Sequence, residues 1–237
     1  MLLRNPDIEA KHAPAKLGHG QGRNDMDVST RIAMAALSVL LLAGSGCAPF
    51  SKADASRLFS RDGWELPGRV LAAIPVERGA RVADVGAGEG YFTWKLADAV
   101  GPDGRVWSVE VSDALVAKLE EGAAQRRLAN VTVQRGEFAD PKLPDAGIDV
   151  VLLSSVFHHI DDRVAYMTRL RSDLAPGGRV AILEPRAGWE SWLLLLPPGH
   201  GVAVPVIRDE MRAAGYRPIA SHEFLPAHSF EIFEPAE

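Results

Sequence analysis

Cysteine is almost absent from this 237-residue sequence, which contains only Cys47. A single cysteine excludes an intrachain disulfide and a cysteine-rich zinc site. The sequence also lacks an excess of basic residues, since 26 Lys and Arg stand against 31 Asp and Glu, for a net charge of −5. Nucleic-acid binding requires a basic face that neutralises phosphates. We therefore expect a small-molecule partner and no nucleic acid.

An apolar run at residues 32–43 is, at about twelve residues, too short to span a bilayer comfortably. It follows Met26, a candidate start, and the single cation Arg31, and it precedes small residues at 44–46 and then Cys47. This order resembles a bacterial lipoprotein signal, in which the cysteine is lipidated and becomes the mature N-terminus. The alternative is a buried or membrane-anchoring helix.

Three segments are predicted along the chain. Residues 1–47 form a disordered leader followed by the lipoprotein-like signal, because residues 1–25 are polar and lack apolar periodicity. Residues 48–63 form a tether. Residues 64–237 form one folded domain with a substantial core.

Strand and helix patterns alternate in the folded domain. The predicted elements are helix 64–74, strand 81–85, helix 91–100, strand 105–109, helix 113–128, strands 131–135 and 148–153, helix 163–174, strand 179–183 and helix 204–214. Alternation requires crossover connections, which give a parallel sheet covered on both faces. The last two runs, 218–224 and 229–233, are joined by only four residues and predict an antiparallel pair at one edge. The predicted class is a doubly wound α/β fold.

The sequence VADVGAGEGYF at residues 82–92 places Gly86, Gly88 and Gly90 between a strand and a helix. In open α/β sheets ligands bind beyond the carboxyl ends of strands, and glycines let a ligand lie against the backbone. The GxGxG spacing differs from the GxGxxG of dinucleotide sites, and no Lys followed by Ser or Thr marks a P-loop. Asp84 would repel a pyrophosphate but attract an amino group or a sulfonium. These features predict a nucleoside with a positively charged end.

Two further acidic residues follow predicted strands. Glu110 lies 24 residues after Gly86, where a carboxylate can accept hydrogen bonds from both hydroxyls of a ribose. Glu137 is placed to accept a hydrogen bond from an adenine amino group.

Together with Asp149 and the LAPGGR turn at 174–179, these residues resemble the class I S-adenosylmethionine-dependent methyltransferases, in particular the bacterial type-11-like methyltransferase domain. The segments WELP at 64–67, GEFADPKLP at 136–144 and FHHI at 157–160 share this resemblance, which covers residues 64–233. It implies a Rossmann-like seven-stranded sheet, mostly parallel with an antiparallel last strand, and S-adenosyl-L-methionine as the cofactor. It also implies cofactor contacts from Asp84, Gly86, Ala87, Gly88, Gly90, Tyr91, Glu110, Val111, Glu137, Phe138 and Ser154.

Methyl transfer from an activated sulfonium depends mainly on alignment and on exclusion of water, so a catalytic residue is optional. His158 and His159 follow the fourth strand, where such enzymes face their acceptor, and either is a candidate general base. The alternative is that one of them packs or caps the next helix. Glu184 either points into the acceptor pocket or pairs with Arg186. We expect no metal site, because adjacent histidines should splay apart even with His200 nearby.

The apolar segment WESWLLLL at 189–196 is either a core or lid segment or a contact for a hydrophobic acceptor. The predicted function is S-adenosylmethionine-dependent methyl transfer to an unidentified small molecule. A rival interpretation is a non-enzymatic exported or membrane-anchored protein that retains the fold and nucleoside binding. The rival arises because the cofactor is cytoplasmic, whereas Cys47 indicates a lipoprotein anchored on the periplasmic side of the cell envelope. The alternative location is the cytoplasm.

Overall fold

Seven strands form one mixed sheet in the computed structural model, which describes residues 60–188 and 200–236. The strands are β1 Arg81–Val85, β2 Arg105–Glu110, β3 Val131–Arg135, β4 Ile148–Ser154, β5 Leu174–Pro185, β6 Tyr216–His222 and β7 His228–Pro235. The helices are α1 Arg61–Glu65, α2 Pro67–Ala73, α3 Tyr91–Val100, α4 Asp113–Arg126, α5 Arg163–Leu170 and α6 Val204–Ala213, with a 3₁₀ turn at Phe157–His159.

The strand order is β3-β2-β1-β4-β5-β7-β6. Strands β1 to β5 pair in parallel, and β7 runs antiparallel to both β5 and β6. This arrangement confirms the doubly wound α/β prediction and the antiparallel pair at one edge. The chain winds outward from β1 to β3 and then restarts at β4 on the other side of β1. The carboxyl ends of β1 and β4 therefore flank the point where ligands bind in this class of sheet.

Apolar side chains fill both faces of the sheet because successive residues of a strand point to opposite sides. In β4, Val150 and Leu152 belong to a core that also contains Phe92 and Leu96 of α3. Val151 and Leu153 belong to the core on the other face, with side chains from α5 and α6. The central strands are thus buried on both sides and hold the loops at their carboxyl ends in place.

The boundaries predicted for two helices were wrong. The helix predicted over 64–74 is two helices, α1 and α2, because Leu66 takes a left-handed conformation (φ 42°) and Pro67 starts a new helix. The helix predicted over 163–174 ends at Leu170, and Leu174 already pairs with Ile148 as the start of β5. An apolar residue such as Leu174 fits either periodicity, so the sequence pattern did not separate helix from strand there.

The predicted leader and the apolar segment 189–196 lie outside the described residues, so the interpretations attached to them remain predictions. Within residues 60–188 and 200–236, no helix is both long and apolar enough to cross a membrane.

Candidate active site

The glycine loop, residues 86–90, connects β1 to α3 at the carboxyl edge of the sheet. All three glycines have positive φ, which favours glycine over other residues. A Cβ on Gly86 would overlap the side chain of Val156, and a Cβ on Gly90 would overlap the ring of Trp94, whereas a Cβ on Gly88 would meet nothing within 4 Å. The first and third glycines therefore permit close packing, and the second borders open space where a ligand can reach the backbone.

Asp84 lies in β1, two residues before this loop, with only 2% of its surface exposed. The Thr93 hydroxyl donates a 2.6 Å hydrogen bond to its Oδ2 atom, and the same hydroxyl lies 2.9 Å from Ser108 Oγ. Burial raises the pKa of the Asp84 carboxyl to about 6. Above that pH the site holds a buried negative charge, and one side chain among the described residues donates a hydrogen bond to it. This environment favours a bound cation.

Glu65, at the end of α1, is a second buried carboxyl that our sequence analysis did not identify. Its Oε1 atom accepts a 2.7 Å hydrogen bond from Arg61 Nε, but Oε2 is buried and has no hydrogen-bond partner among the described residues. Burial raises the pKa of Glu65, and its charge in turn raises the pKa of Asp84. The only sequence signal was its place in the WELP segment, which carried the family resemblance but did not indicate a role.

Glu110 ends β2, as the sequence predicted, and its side chain contacts the glycine loop. Its Oε2 atom accepts a 3.0 Å hydrogen bond from the amide of Gly88. The other oxygen, Oε1, accepts hydrogen bonds from the amides of Val111 (2.8 Å) and Ser112 (3.2 Å). Glu110 is 8% exposed, and its carboxylate lies directly beside Gly88, the glycine of the loop that borders open space.

The loop after β3 carries Glu137 and Phe138. Phe138 is 79% exposed, the most exposed large apolar side chain in the described part of the chain. The Glu137 carboxylate lies 3.3 Å from Lys142 Nζ, and the same ammonium also contacts Asp140. Within residues 60–188 and 200–236, no hydrogen bond joins Glu137 to the glycine loop. The loop nevertheless begins beside the predicted ribose residue, because the amide of Gly136 donates a 3.1 Å hydrogen bond to the backbone carbonyl of Glu110.

Ser154 ends β4 beside β1, where Leu153 pairs with Val85. Its Oγ atom is buried and has no hydrogen-bond partner in the part of the chain that is described. Buried hydroxyls are nearly always hydrogen-bonded. This orphaned group at the carboxyl edge of the sheet fits a site that is completed by a polar ligand.

Three histidines meet beyond the ends of β4 and β5. The ring centroids of His158 and His159 are 3.9 Å apart, and those of His158 and His200 are 4.8 Å apart. The expectation that the adjacent histidines splay apart was therefore wrong, because the 3₁₀ turn brings their rings together. Glu184 pairs with His158 and not with Arg186, since Glu184 Oε1 lies 2.5 Å from His158 Nδ1. Among the described residues, no group of three or more potential ligands is arranged to hold a metal ion.

A fourth histidine, His228, lies buried at the start of β7, and sequence reasoning missed it. Its Nε2 atom is 3.4 Å from the hydroxyl of Ser155. Burial, reinforced by the positive charges of Arg61 and Arg186, lowers the pKa of His228 to about 4. Its imidazole is therefore neutral at physiological pH. The residues around His228 form no motif that would have indicated its burial beside Ser155.

The profile of the family described as "Methyltransferase domain" matches residues 76–213, more than half of the chain. The chain belongs to this methyltransferase family. Among curated relatives, it is 32% identical to nocamycin O-methyltransferase of Saccharothrix syringae over 68% of this chain and 58% of that one. It is 30% identical to demethylmenaquinone methyltransferase of Geobacillus sp. (strain WCH70) over 48% of this chain and 49% of that one. The chain thus spans about half the length of these relatives.

The methyltransferase fold also appears among solved structures. A SAM-dependent methyltransferase from Aquifex aeolicus superimposes with a TM-score of 0.67 at 23% identity, over 78% of this chain and 98% of that one. At this identity the likeness shows the fold alone. The family establishes S-adenosyl-L-methionine as the cofactor of this methyltransferase domain, as the family resemblance of the sequence implied.

Three observations test whether this site fits that cofactor. Gly88 leaves open space beside the backbone, Asp84 carries a buried anionic group, and the buried Ser154 hydroxyl has no hydrogen-bond partner in the described part of the chain. A positively charged nucleoside with several hydroxyl and amino groups complements all three. The residues present therefore fit S-adenosylmethionine.

Proposed function

We propose that this protein transfers a methyl group from S-adenosylmethionine to a small-molecule acceptor. The observation that supports this most directly is the buried Asp84 carboxyl beside the glycine loop of a methyltransferase-family chain. The names of the two curated relatives given above refer to small organic acceptors, nocamycin and demethylmenaquinone, and not to nucleic acids. The negative net charge of the chain agrees with that class of partner.

In this proposal, different residues contact different parts of S-adenosylmethionine. Asp84 and Glu65 would hold the ammonium of the methionine moiety, because both are buried carboxyls whose charges interact. Glu110 would accept hydrogen bonds from the ribose hydroxyls. Glu137 and Phe138 would contact the adenine, and Ser154 would donate its free hydroxyl. Tyr91 opens α3 and is held by a 2.5 Å hydrogen bond from its hydroxyl to Asp62, which fixes α1 over the glycine loop.

When bound, S-adenosylmethionine supplies an activated methyl group on a positively charged sulfur. The protein contributes alignment of the acceptor and exclusion of water, which together account for most of the acceleration in such displacements. His158 and His159 lie at the same edge of the sheet as Asp84 and Glu110. Of the two, His158 is the stronger candidate for a general base, because a buried carboxylate fixes its ring, while His159 is exposed.

Calorimetric titration of the full chain with S-adenosylmethionine and S-adenosylhomocysteine tests the cofactor proposal. We expect both to bind, and Glu110→Gln to weaken binding by about 10- to 150-fold, since a charge-assisted hydrogen bond contributes about 1.5–3 kcal/mol. Glu120→Gln, which removes an exposed carboxylate on α4, is the matched control and should bind as the wild type does. A well-folded protein that binds neither compound would refute the enzymatic proposal and favour the rival non-enzymatic function.

We also propose that the protein is a lipoprotein anchored through Cys47. Support comes from the order of cation, apolar run, small residues and cysteine at positions 31–47. Such an anchor would bring the domain to a membrane surface, where a hydrophobic acceptor is available to it. Mass spectrometry of the mature N-terminus tests this proposal. A diacylated Cys47 supports it, and an unmodified chain that starts at Met1 or Met26 contradicts it in favour of a cytoplasmic location.

A further inference from the structure

A buried carboxyl–imidazole pair lies where β4 and β5 end. Glu184 is the penultimate residue of β5, and His158 lies in the turn after β4. The parallel register, in which Ser154 pairs with Leu183, brings these two positions to the same edge of the sheet. Glu184 Oε1 and His158 Nδ1 are 2.5 Å apart, and the Glu184 side chain is fully buried.

Among the described residues, His158 is the only side chain that hydrogen-bonds the Glu184 carboxylate. The second carboxylate oxygen, Oε2, is buried and unpaired. Burying the Glu184 carboxylate with one oxygen unpaired costs free energy. A hydrogen bond to a neutral imidazole does not offset that cost. The gain instead comes when the imidazole carries a proton, because a buried anion then faces a cation. The pair is therefore built to stabilise a proton that arrives on His158.

The other charged and titratable groups around the Glu184–His158 pair favour His158 as the single general base. His159 in the same turn and His200 before α6 both contact the His158 ring, and their protonation would oppose a charge on His158. Burial and the two neighbouring histidines lower the pKa of His159. Arg163 of α5 is near enough to Glu184 for their charges to interact. Of these three histidines, His158 alone hydrogen-bonds a carboxylate.

The hydrogen bond also selects the tautomer of His158. With Nδ1–H donating to Glu184, the other ring nitrogen, Nε2, carries the free lone pair. A carboxylate that holds an imidazole in one tautomer and stabilises the imidazolium is a known arrangement for general bases. The geometry therefore assigns the basic nitrogen to Nε2 of His158.

We propose that Glu184 is a positioning residue that makes His158 a general base, and that the acceptor carries a phenolic or enolic hydroxyl. This inference rests on the proposed methyl transfer. A general base is most effective toward a proton whose acidity is close to its own. An aliphatic hydroxyl is far less acidic than imidazolium, and a neutral amine or a thiolate attacks without prior loss of a proton.

The step balances without another reactant. The hydroxyl oxygen forms a bond to the methyl carbon as the carbon–sulfur bond breaks, and the electron pair of that bond neutralises the sulfonium. The hydroxyl proton passes to Nε2 of His158 and then to solvent. The products are a methyl ether and a neutral thioether.

The test compares acceptors that need a base with one that does not. The full-length wild type is assayed at pH 8 for S-adenosylhomocysteine release with phenol, 4-methoxyphenol and 4-nitrophenol, the last of which ionises without help. We expect His158→Asn to lower kcat about 100-fold, and Glu184→Gln about tenfold, for the first two phenols. Both variants should stay within about threefold of the wild type for 4-nitrophenol. Glu184→Asp should recover part of the loss seen in Glu184→Gln, and Glu120→Gln should match the wild type.

Further measurements separate this role from a structural one. In Glu184→Gln, the rising limb of kcat against pH should move to lower pH, since a neutral amide does not stabilise an imidazolium. The KM for the acceptor and the affinity for S-adenosylhomocysteine should stay unchanged. If Glu184→Gln does not fold, the comparison of phenols with His158→Asn still decides. An equal loss for all three phenols, a larger loss in His159→Asn, or methylation of aniline or thiophenol with no phenol methylated overturns the inference. In that last case the proposed methyl transfer stands, whereas failure to bind S-adenosylhomocysteine refutes both.

Discussion

Replacing Asp84 with asparagine should stabilise the protein at alkaline pH and weaken its binding of the cofactor. The carboxyl has a pKa of about 6 in the folded protein against 3.8 for a free aspartate. Because the folded value is raised, the native state binds the proton more tightly. The contribution of the Asp84 carboxyl to the free energy of unfolding is fully present below about pH 4, and it is lost as the pH rises through 6. At about 1.4 kcal/mol per pKa unit, the ionised carboxylate costs about 3 kcal/mol.

Asparagine keeps the shape of Asp84 and can still accept the Thr93 hydrogen bond. The asparagine side chain carries no charge, but its NH₂ group needs a hydrogen-bond acceptor. Burying that group without one costs about 1 kcal/mol. We therefore expect Asp84→Asn to be more stable than the wild type by about 2 kcal/mol at pH 8. At pH 4 it should be equal or slightly less stable. Urea denaturation followed by circular dichroism at both pH values measures the difference.

Cofactor binding should change in the opposite direction. An ionised Asp84 attracts the positively charged end of S-adenosylmethionine, so wild-type affinity should rise as pH increases through 6, whereas that of Asp84→Asn should be lower and flat. Asp103→Asn, at an exposed carboxylate, is the control and should change neither quantity. A stability difference that is the same at pH 4 and pH 8, or unchanged affinity in Asp84→Asn, would show that the reasoning about this buried charge is wrong.

Four further predictions concern two glycines of the loop and two other buried carboxyls. Gly88→Ala should fold with a loss of about 1 kcal/mol from its positive φ, yet bind S-adenosylhomocysteine at least tenfold more weakly, because its Cβ fills the space that borders the backbone. Gly86→Ala should lower the urea midpoint much more, because its Cβ overlaps Val156. Asp173→Asn should raise stability by about 1–2 kcal/mol at pH 8 but not at pH 4, since burial raises the pKa of this carboxyl to about 6. Glu65→Gln should weaken S-adenosylmethionine about tenfold in calorimetry while leaving the stability at pH 4 unchanged.

The sequence allowed the sheet and part of the site to be predicted. Asp84 and Glu110 lie beside the glycine loop as expected, because strand ends in a parallel sheet meet at one edge. Their roles toward the cofactor remain predictions. The adenine contact assigned to Glu137 also stays a prediction; its carboxylate pairs with Lys142 in a loop whose course no strand pattern specifies. The extent of helices failed where a single residue, such as Leu66, left the helical conformation.

The roles of the remaining polar residues depended on contacts between distant parts of the chain. Glu65 and Asp84 are 19 residues apart, and Glu184 and His158 are 26 apart. Neither pair has a recurring spacing that a reader of the sequence would recognise. Their importance follows from one buried oxygen in each of Glu65 and Glu184 that has no hydrogen-bond partner among the described residues, which only the folded structure reveals.

By itself the sequence determined the fold class, the spacing of the glycine loop and the family, because strand and helix periodicity and glycine requirements are local properties of the backbone. Only the tertiary structure decided which carboxyls are buried, which histidine hydrogen-bonds a carboxylate, and which glycine borders open space. Burial and hydrogen bonding depend on how separate elements pack together. The chemistry of this site is therefore set by the packing of α1, β1, β4 and β5.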